Sequence, residues 1–558
     1  MGEVIYTSPN FMILKVTFME YEKERGFQIT FMPGGVTATA APGSSAADAA
    51  AAAGVRIGRH CGGAGVCGKC RVAVKDRDED PFGPLTETEK KLLTQEEIER
   101  GLRLSCCAPI VKNGTVYVVD GAEGEGHSIL EGFYSGIEEW GEREGFGVAV
   151  DIGTTTVVCY LLDLRGRRAI DRASFLNPQV SFGDDVISRI AYSSSSNEAL
   201  WRVQRSLTEE MGENIRAMAD RNGVPREEIK ELVIAGNTVM EHLFAGVSPE
   251  SIGHSPYSPQ FLLKDPFRAS DIGMNINERC VVKMLPNVAG YVGADIVAGV
   301  AAVGMDVDDK MRLFVDIGTN NEIVIGNGGG MFCCATAAGP ALEGARIQYG
   351  MRAAEGAIER VFLDNGELAC GTIGGGAPAG LCGSGLIDAV ALLLDEGVIN
   401  AGGRFEYPEK CLDGRFAKRL GRDKKGMVRL LLTDEKNPVY LTQKDIREVQ
   451  LAVGAVKVGT EVMLERAGTT EDGIAEVCLA GAFGNNINVE SAVRVGLIPD
   501  VSRGKILGVK NSSGLGACMS LASPGFYERT KEAAKKMSYV ELSTLPDFQK
   551  RFLKAMSF

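Results

Sequence analysis

Histidine is scarce in this chain: there are four in 558 residues, none in an H-E-x-x-H arrangement, so zinc hydrolysis of the protease kind has no ligand set. A G-x4-G-K-[ST] loop is also missing, which excludes a P-loop nucleotide site. No stretch reaches the run of about eighteen apolar residues that a membrane span needs. The opening MGEVIYTSPN lacks a basic segment followed by an apolar one. Positive charge is in deficit, 60 Lys and Arg against 73 Asp and Glu, and the net −13 disfavours nucleic acid and anionic membranes as partners. A cytoplasmic chain is expected. With 45% hydrophobic and 24% charged residues, neither a disordered nor a collagen-like chain fits. At about 150 residues per domain the length allows three or four domains.

Cysteine, by contrast, is plentiful. Fourteen are present, with adjacent pairs at Cys106-Cys107 and Cys333-Cys334, a pattern that points to reduced thiols and to metal or cluster ligation more than to a disulfide framework. Residues 27 to 41 alternate around Pro33-Gly34-Gly35 as a β-hairpin. Ser44 or Ser45 then caps a helix over Ala46 to Ala53 that Gly54 ends. A capped helix is expected over Thr86 to Arg100 and a strand over Thr115 to Val119. This unit is placed at 1–120. The stretch 121–145, rich in Gly and Glu, reads as a connector.

Beyond it, buried strands alternate with helices such as Asn197 to Arg221 and Gln443 to Ala467, an α/β pattern. It repeats itself. VAVDIGTTTVV at 148–158 recurs as LFVDIGTNNEIVI at 313–325, and LVIAGNTVM at 232–240 as VCLAGAFGN at 477–485, so two related halves are expected, at 146–310 and 311–558. The second carries insertions, with 400–428 one candidate.

Cys61, Cys67 and Cys70 form C-x5-C-x2-C in HCGGAGVCGKC, and Cys106 follows 36 positions later. The glycines let backbone amides approach bound sulfur. This resembles the vertebrate-type and bacterial relatives of plant ferredoxin, which implies a 2Fe-2S cluster on a β-grasp fold. Four thiolates also suit structural zinc, and Cys107 competes with Cys106 for the fourth position. The resemblance, which puts that ligand at the end of an Arg-Leu-small-Cys strand, favours Cys106.

Each VDIGT segment sets an Asp at a strand end before a glycine turn. Gly153 and Gly318 allow backbone amides to face phosphate; Thr154, Thr155, Thr156, Thr319 and Asn320 add hydroxyl or amide groups; Asp151 and Asp316 can hold Mg²⁺ through water. With LAGAFGN, the two hairpins resemble the actin, sugar-kinase and 70-kilodalton heat-shock superfamily, two ribonuclease-H-like halves around ATP. That likeness assigns Gly481, Ala482 and Gly484 to the adenosine. Gly339, and Gly383 with Ser384 at a helix start, are further cofactor candidates or simple loop closures.

Joined to the ferredoxin motif, NPQVSFGDDVISRI, LPNVAGYVGADIVAG, AAGPALEGA and CGSGLIDAV make nearly the whole chain similar to the reductive activators of corrinoid-dependent proteins. The resemblance implies an enzyme of anaerobic metabolism that hydrolyses ATP and passes an electron from the cluster to Co(II) of a corrinoid protein in a methyltransferase system, restoring Co(I). A low-potential electron donor is implied, and a homodimer is among the assemblies left open. Two other readings are a small-molecule kinase with a regulatory cluster, using Asp184 or Asp185 as base, and a non-enzymatic, redox-sensing docking protein gated by nucleotide.

Overall fold

A computed structural model describes residues 26–32, 35–53, 55, 57, 70–74, 80–93, 97–98, 101–118, 141–318, 320–336, 339–344, 346–406, 414–481, 487–501 and 505–558. The chain divides into two compact units, 1–125 with 176–207, and 126–175 with 208–558.

In the first unit the hairpin forms as expected. Strands β1 (Phe27–Met32) and β2 (Val36–Ala40) pair antiparallel, and β3 (Arg71–Ala73), β4 (Leu102–Leu104) and β5 (Gly114–Val118) complete a five-stranded sheet in the order β2-β1-β5-β3-β4. The parallel pairing of β1 with β5 is the mixed centre of a β-grasp sheet. Ile29, Phe31, Leu104, Ile110 and Val116 are at most 1% exposed, each contributing about 1.5–3 kcal/mol of transfer free energy. Helix α1 (Ala46–Ala52) is capped by Ser45, whose side chain accepts from the Asp48 amide; Gly54 lies outside the described residues. Helix α2 (Glu87–Leu92) is shorter than expected. Its capping box joins Thr86 and Glu89, and by Leu93 the backbone is already extended. Helix α3 (Val186–Ser193) falls in the same unit, and α4 (Asn197–Arg221) starts in it and ends in the second.

The second unit holds the expected duplication. In the first half, β6 (Phe146–Ile152), β7 (Thr156–Asp163), β8 (Arg168–Leu176), β9 (Ile229–Gly236), β10 (Phe267–Arg268) and β11 (Val281–Met284) form a sheet ordered β10-β11-β9-β6-β7-β8. Helices α5 (Thr238–Phe244) and α6 (Ala294–Ala302) accompany it. The second half opens with β12 (Arg312–Ile317), β13 (Asn321–Asn327) and β14 (Gly330–Thr336). Continuous apolar runs such as VVCYLL in β7, a run buried along its whole length, suit strands covered on both faces.

The inserted region is larger than 400–428. Strands β15 (Ala357–Asp364), β16 (Glu367–Thr372) and β17 (Gly380–Leu381) form one small sheet. After helix α7 (Gly383–Asp395), strands β18 (Leu420–Arg422), β19 (Val428–Leu431) and β20 (Tyr440–Thr442) form another. The main fold resumes with α8 (Gln443–Ala467), as expected, capped by Thr442. Its Gly459 presses on the sheet, because a Cβ there would sit 2.7 Å from Ile323 and Thr336.

Then come β21 (Glu476–Ala480), α9 (Val489–Arg494), β22 (Ile506–Lys510), α10 (Ser512–Ala522), α11 (Pro524–Lys536), β23 (Met537–Tyr539) and α12 (Phe548–Ala555). The second sheet runs β22-β21-β12-β13-β14-β23. In both halves the VDIGT strand pairs antiparallel with the strand after it and parallel with the one that leads into an Ala-Gly pair. The two sheets are thus copies of one ribonuclease-H-like plan.

Six thiols are sealed in these sheets and helices: Cys159, Cys280, Cys333 and Cys334 are 0% exposed, Cys478 2% and Cys518 4%. Burial holds every one of them above the ordinary thiol range, Cys280 and Cys333 at about 12 and Cys478 at about 11. No helix among the described residues is long and apolar enough to cross a membrane.

Candidate active site

Asp151 and Asp316 stand at corresponding places, near the ends of β6 and β12. Gly153 closes the first hairpin by donating to the Thr156 carbonyl at 2.9 Å, and Gly318 closes the second by donating to the Asn320 carbonyl at 3.2 Å. A Cβ on Gly153 would lie 2.6 Å from that Thr156 oxygen, so the turn admits no side chain. Thr154 is tied down, its hydroxyl accepting from Asn237 Nδ2 at 3.0 Å. Thr155 and Thr156 are half-buried at the tip, and Asn320 is half-buried in the second turn.

The two hairpins differ across the ladder. Asp151 faces Val158, whereas Asp316 faces Glu322. Like charges directly opposite on a sheet repel, and a third carboxylate, Asp295 in the first turn of α6, adds to the field. Burial, then Asp316 and Asp151, push Asp295 up to about 8. Burial and Asp151 push Asp316 up to about 7. Burial, Asp295 and Asp316 hold Glu322 well above its ordinary range. Asp151 has support of a different kind, a hydrogen bond from Ser513 Oγ at 2.7 Å.

Such an uncompensated acidic cluster fits a divalent cation, whose charge would remove the repulsion. No three His, Cys, Asp or Glu side chains among the described residues are grouped closely enough to hold a metal ion directly. Asn321 adds a donor. It is fully buried, its Oδ1 accepts from the Gly318 amide at 3.3 Å, and its Nδ2 has no hydrogen-bond partner among the described residues.

Gly481 follows β21 at φ +83°, and a Cβ there would come within 2.6 Å of the Ile317 carbonyl and 2.7 Å of Asp316 Oδ1. This turn therefore touches the second VDIGT hairpin itself. Gly339 has φ +73° just before a 3-10 turn, Pro340–Glu343. Gly383 and the buried Ser384 begin α7, with Cys382 in the N-cap position. Ser384 Oγ lies 3.3 Å from Cys382 Sγ. Asp185 is the N-cap of α3, accepting from the Ser188 amide and hydroxyl at 2.7 Å. Thr319, Ala482 and Gly484 lie outside the described residues.

At the cysteine site, Cys70 Sγ stands 3.1 Å from Cys106 Sγ, and Cys107 Sγ lies 3.4 Å from Cys106. Two thiolates on one tetrahedral metal are less than about 4 Å apart, so Cys70 and Cys106 fit a shared iron. Hydrogen bonding with Cys106 lowers Cys70 to about 6, while Cys106 is pushed upward by Cys70 and by burial. Cys61 and Cys67 lie outside the described residues. Strand β4 is anchored just before Cys106: the buried Glu89 accepts from Arg103 Nε at 2.9 Å and from the Leu104 amide at 3.0 Å.

Sequence reasoning overlooked Asp295, Glu322, Asn321 and Ser513. For Glu322 a signal existed, an acidic residue directly before the apolar run IVI of its strand.

A ferredoxin-type domain and an ATPase fold of the actin type, carried on one chain, define an iron-sulfur ATPase. Residues 310–558 match the family model for the C-terminal domain of RACo, the ASKHA domain; 146–308 match the RACo middle region; and 29–111 match the 2Fe-2S iron-sulfur cluster binding domain. The corrinoid activation enzyme RamQ of Eubacterium limosum is 35% identical over 417 residues, 74% of this chain and 70% of that protein. The [Co(II) methylated amine-specific corrinoid protein] reductase of Methanosarcina barkeri is 23% identical over 453 residues, 74% of this chain and 77% of that one. A solved structure of a reductive activator for corrinoid, iron-sulfur protein superposes with a TM-score of 0.67 at 30% identity, covering 95% of this chain and 98% of the other. The chain belongs to this family of corrinoid reductive activators.

Proposed function

We propose that this chain uses ATP to move one electron from a 2Fe-2S cluster at Cys61, Cys67, Cys70 and Cys106 onto the Co(II) of a corrinoid protein in a methyltransferase system. The cluster is oxidised by one electron and cobalt is reduced to Co(I), while ATP and water become ADP and phosphate. The observation that carries the ATP half is the cluster of Asp151, Asp295, Asp316 and Glu322 beside two glycine turns. A bound Mg²⁺ would supply charge that offsets these carboxylates and polarises the phosphates. Asp151 and Asp316 would hold it through water. Gly153 and Gly318 let backbone come close to phosphate oxygens, with Thr154, Thr155, Thr156, Thr319, Asn320 and Asn321 offering further groups. Asp295 takes the proton of the attacking water. Gly481, Ala482 and Gly484 lie along the adenosine, and Gly339, Gly383 and Ser384 border the same site.

Reduction to Co(I) is uphill for an ordinary ferredoxin donor, so nucleotide must favour the Co(I)-bound complex. A one-electron couple moves about 59 mV per tenfold in equilibrium constant, so a preference of about 10⁴ would shift it roughly 240 mV. A low-potential donor reloads the cluster. The domains are placed at 1–120, 146–310 and 311–558 with 121–145 as connector, in a cytoplasmic enzyme.

The test is anaerobic. The reconstituted, reduced protein is mixed with a Co(II) corrinoid protein and Co(I) absorbance is followed with and without ATP, beside Cys67→Ser. ATP-dependent Co(I) formation, lost in the variant, supports the reading. ATP turnover without Co(I) for any corrinoid partner overturns it.

A further inference from the structure

Helix α6 carries Asp295 in its first turn, yet its N-cap residue, Gly293, has no side chain with which to hold the helix start. A side chain is excluded there, since a Cβ would lie 2.5 Å from Asn237 Cα and 2.6 Å from the Thr238 nitrogen. The first amide of the helix would otherwise be an orphan donor. Asn287 fills the gap from seven positions upstream, its Oδ1 accepting from the Ala294 amide at 3.1 Å.

What holds Asn287 is unusual. Its Nδ2 donates to Glu241 Oε2 at 2.6 Å, and both side chains are buried, Asn287 at 2% and Glu241 at 0% exposure. Oε1 of Glu241 has no hydrogen-bond partner among the described residues. A buried carboxyl with one unsatisfied oxygen is costly. Burial holds it well above its ordinary range, and the field of Asp295 adds to the shift, so the two acids are within electrostatic reach.

Glu241 lies on α5, whose N-cap Asn237 donates to Thr154 in the first phosphate hairpin. The Thr238 hydroxyl of the same helix donates to the Ala289 carbonyl at 2.6 Å. One short helix thus clasps the phosphate turn with its cap and the start of α6 with its first two turns.

We infer that Asn287 and Glu241 are positioning residues for ATP hydrolysis: Glu241 fixes the Asn287 carboxamide, and Asn287 fixes the first turn of α6 so that Asp295 is aimed at the phosphate hairpins. The inference rests on the reading of Asp295 as the proton acceptor. Neither residue touches the nucleotide. Their loss therefore misplaces Asp295 while leaving the glycine turns that bind phosphate intact, and lowers kcat with little change in KM.

The experiment measures kcat and KM for ATP in the cluster-loaded protein for Asn287→Ala, Glu241→Leu, Glu241→Gln and Asp295→Asn, with thermal unfolding of each. Asn287→Ala and Glu241→Leu are expected to lower kcat at least tenfold with KM within threefold. Glu241→Gln keeps an acceptor for Asn287 in the same shape and is expected within twofold of the parent. A parental kcat in Asn287→Ala or Glu241→Leu overturns the inference, as does a Glu241→Gln that falls as far as Glu241→Leu. If Asn287→Ala does not fold, the Glu241 pair decides alone. Asp295→Asn separates the two levels: if it keeps the parental kcat, the role of Asp295 is wrong; if it falls while Asn287→Ala does not, only the positioning inference is wrong.

Discussion

Ser513 donates its hydroxyl proton to Asp151 Oδ1 at 2.7 Å across 362 positions of sequence. The bond reaches from the first turn of α10 to the end of β6 and supplies Asp151 with a hydroxyl donor. Removing a hydrogen bond to a charged group costs about 1.5–3 kcal/mol. Ser513→Ala is therefore expected to raise KM for MgATP by roughly tenfold. The visible spectrum of the cluster should stay unchanged, and steady-state kinetics beside absorbance checks both.

The acidic cluster makes stability depend on pH. Asp295 at about 8 and Asp316 at about 7 keep their protons in the folded chain well above the range in which the unfolded chain loses them. Each therefore contributes stability that is full below about pH 4 and is lost as pH rises towards 7 and 8. Unfolding followed from pH 5 to 9 should show Asp295→Asn losing less stability than the parent over that window. MgATP should stabilise the parent more at pH 8 than at pH 6, since the cation replaces the protons. Equal slopes for parent and variant would contradict the account.

Glu89 joins an ion pair to a backbone anchor. Breaking a buried pair by removing one partner costs about 3–5 kcal/mol, and here the loss falls on the strand that presents Cys106. Glu89→Ala and Arg103→Ala should each lower the unfolding midpoint of the ferredoxin domain and speed cluster loss. The double variant should be less harmful than the sum, because the two share one interaction. Decay of visible absorbance during heating reports it.

Between the adjacent thiols, Cys106 stands against Cys70 and Cys107 stands behind it. Cys107→Ala should reconstitute with the parental spectrum and Cys106→Ala should lose it. Iron and sulfide content after reconstitution settles the order.

Gly481 has no room for a side chain and sits at φ +83°. Gly481→Ala should destabilise by more than about 1 kcal/mol, the usual cost of an Ala forced to positive φ. Nucleotide affinity, read by equilibrium titration, should fall by more than tenfold through displacement of Asp316.

Much of this was legible beforehand because apolar strands and glycine turns are local. The duplicated VDIGT hairpins, the Ser45 cap and the full spans of α4 and α8 are all short-range patterns. Asp295 was hidden because ADIVAGVAA reads as a packing helix, and only folding brings it near Asp151 and Asp316. Ser513 was hidden by distance along the chain. The sheets β15 to β17 and β18 to β20 were missed because strands of two to eight residues, interrupted by glycine, carry little periodicity. Glu89 and Arg103 are 14 positions apart, and their pairing needed the register of β4 against α2.

The sealed thiols bear on how the metallocentre is loaded. Iron and sulfide react with thiolates, not with thiols held in the protonated form. Burial keeps Cys159, Cys280, Cys333, Cys334, Cys478 and Cys518 in that inert form, so incoming iron finds no competing sulfur in those cores. The selectivity of assembly is then set as much by where this chain hides its sulfur as by where it offers it.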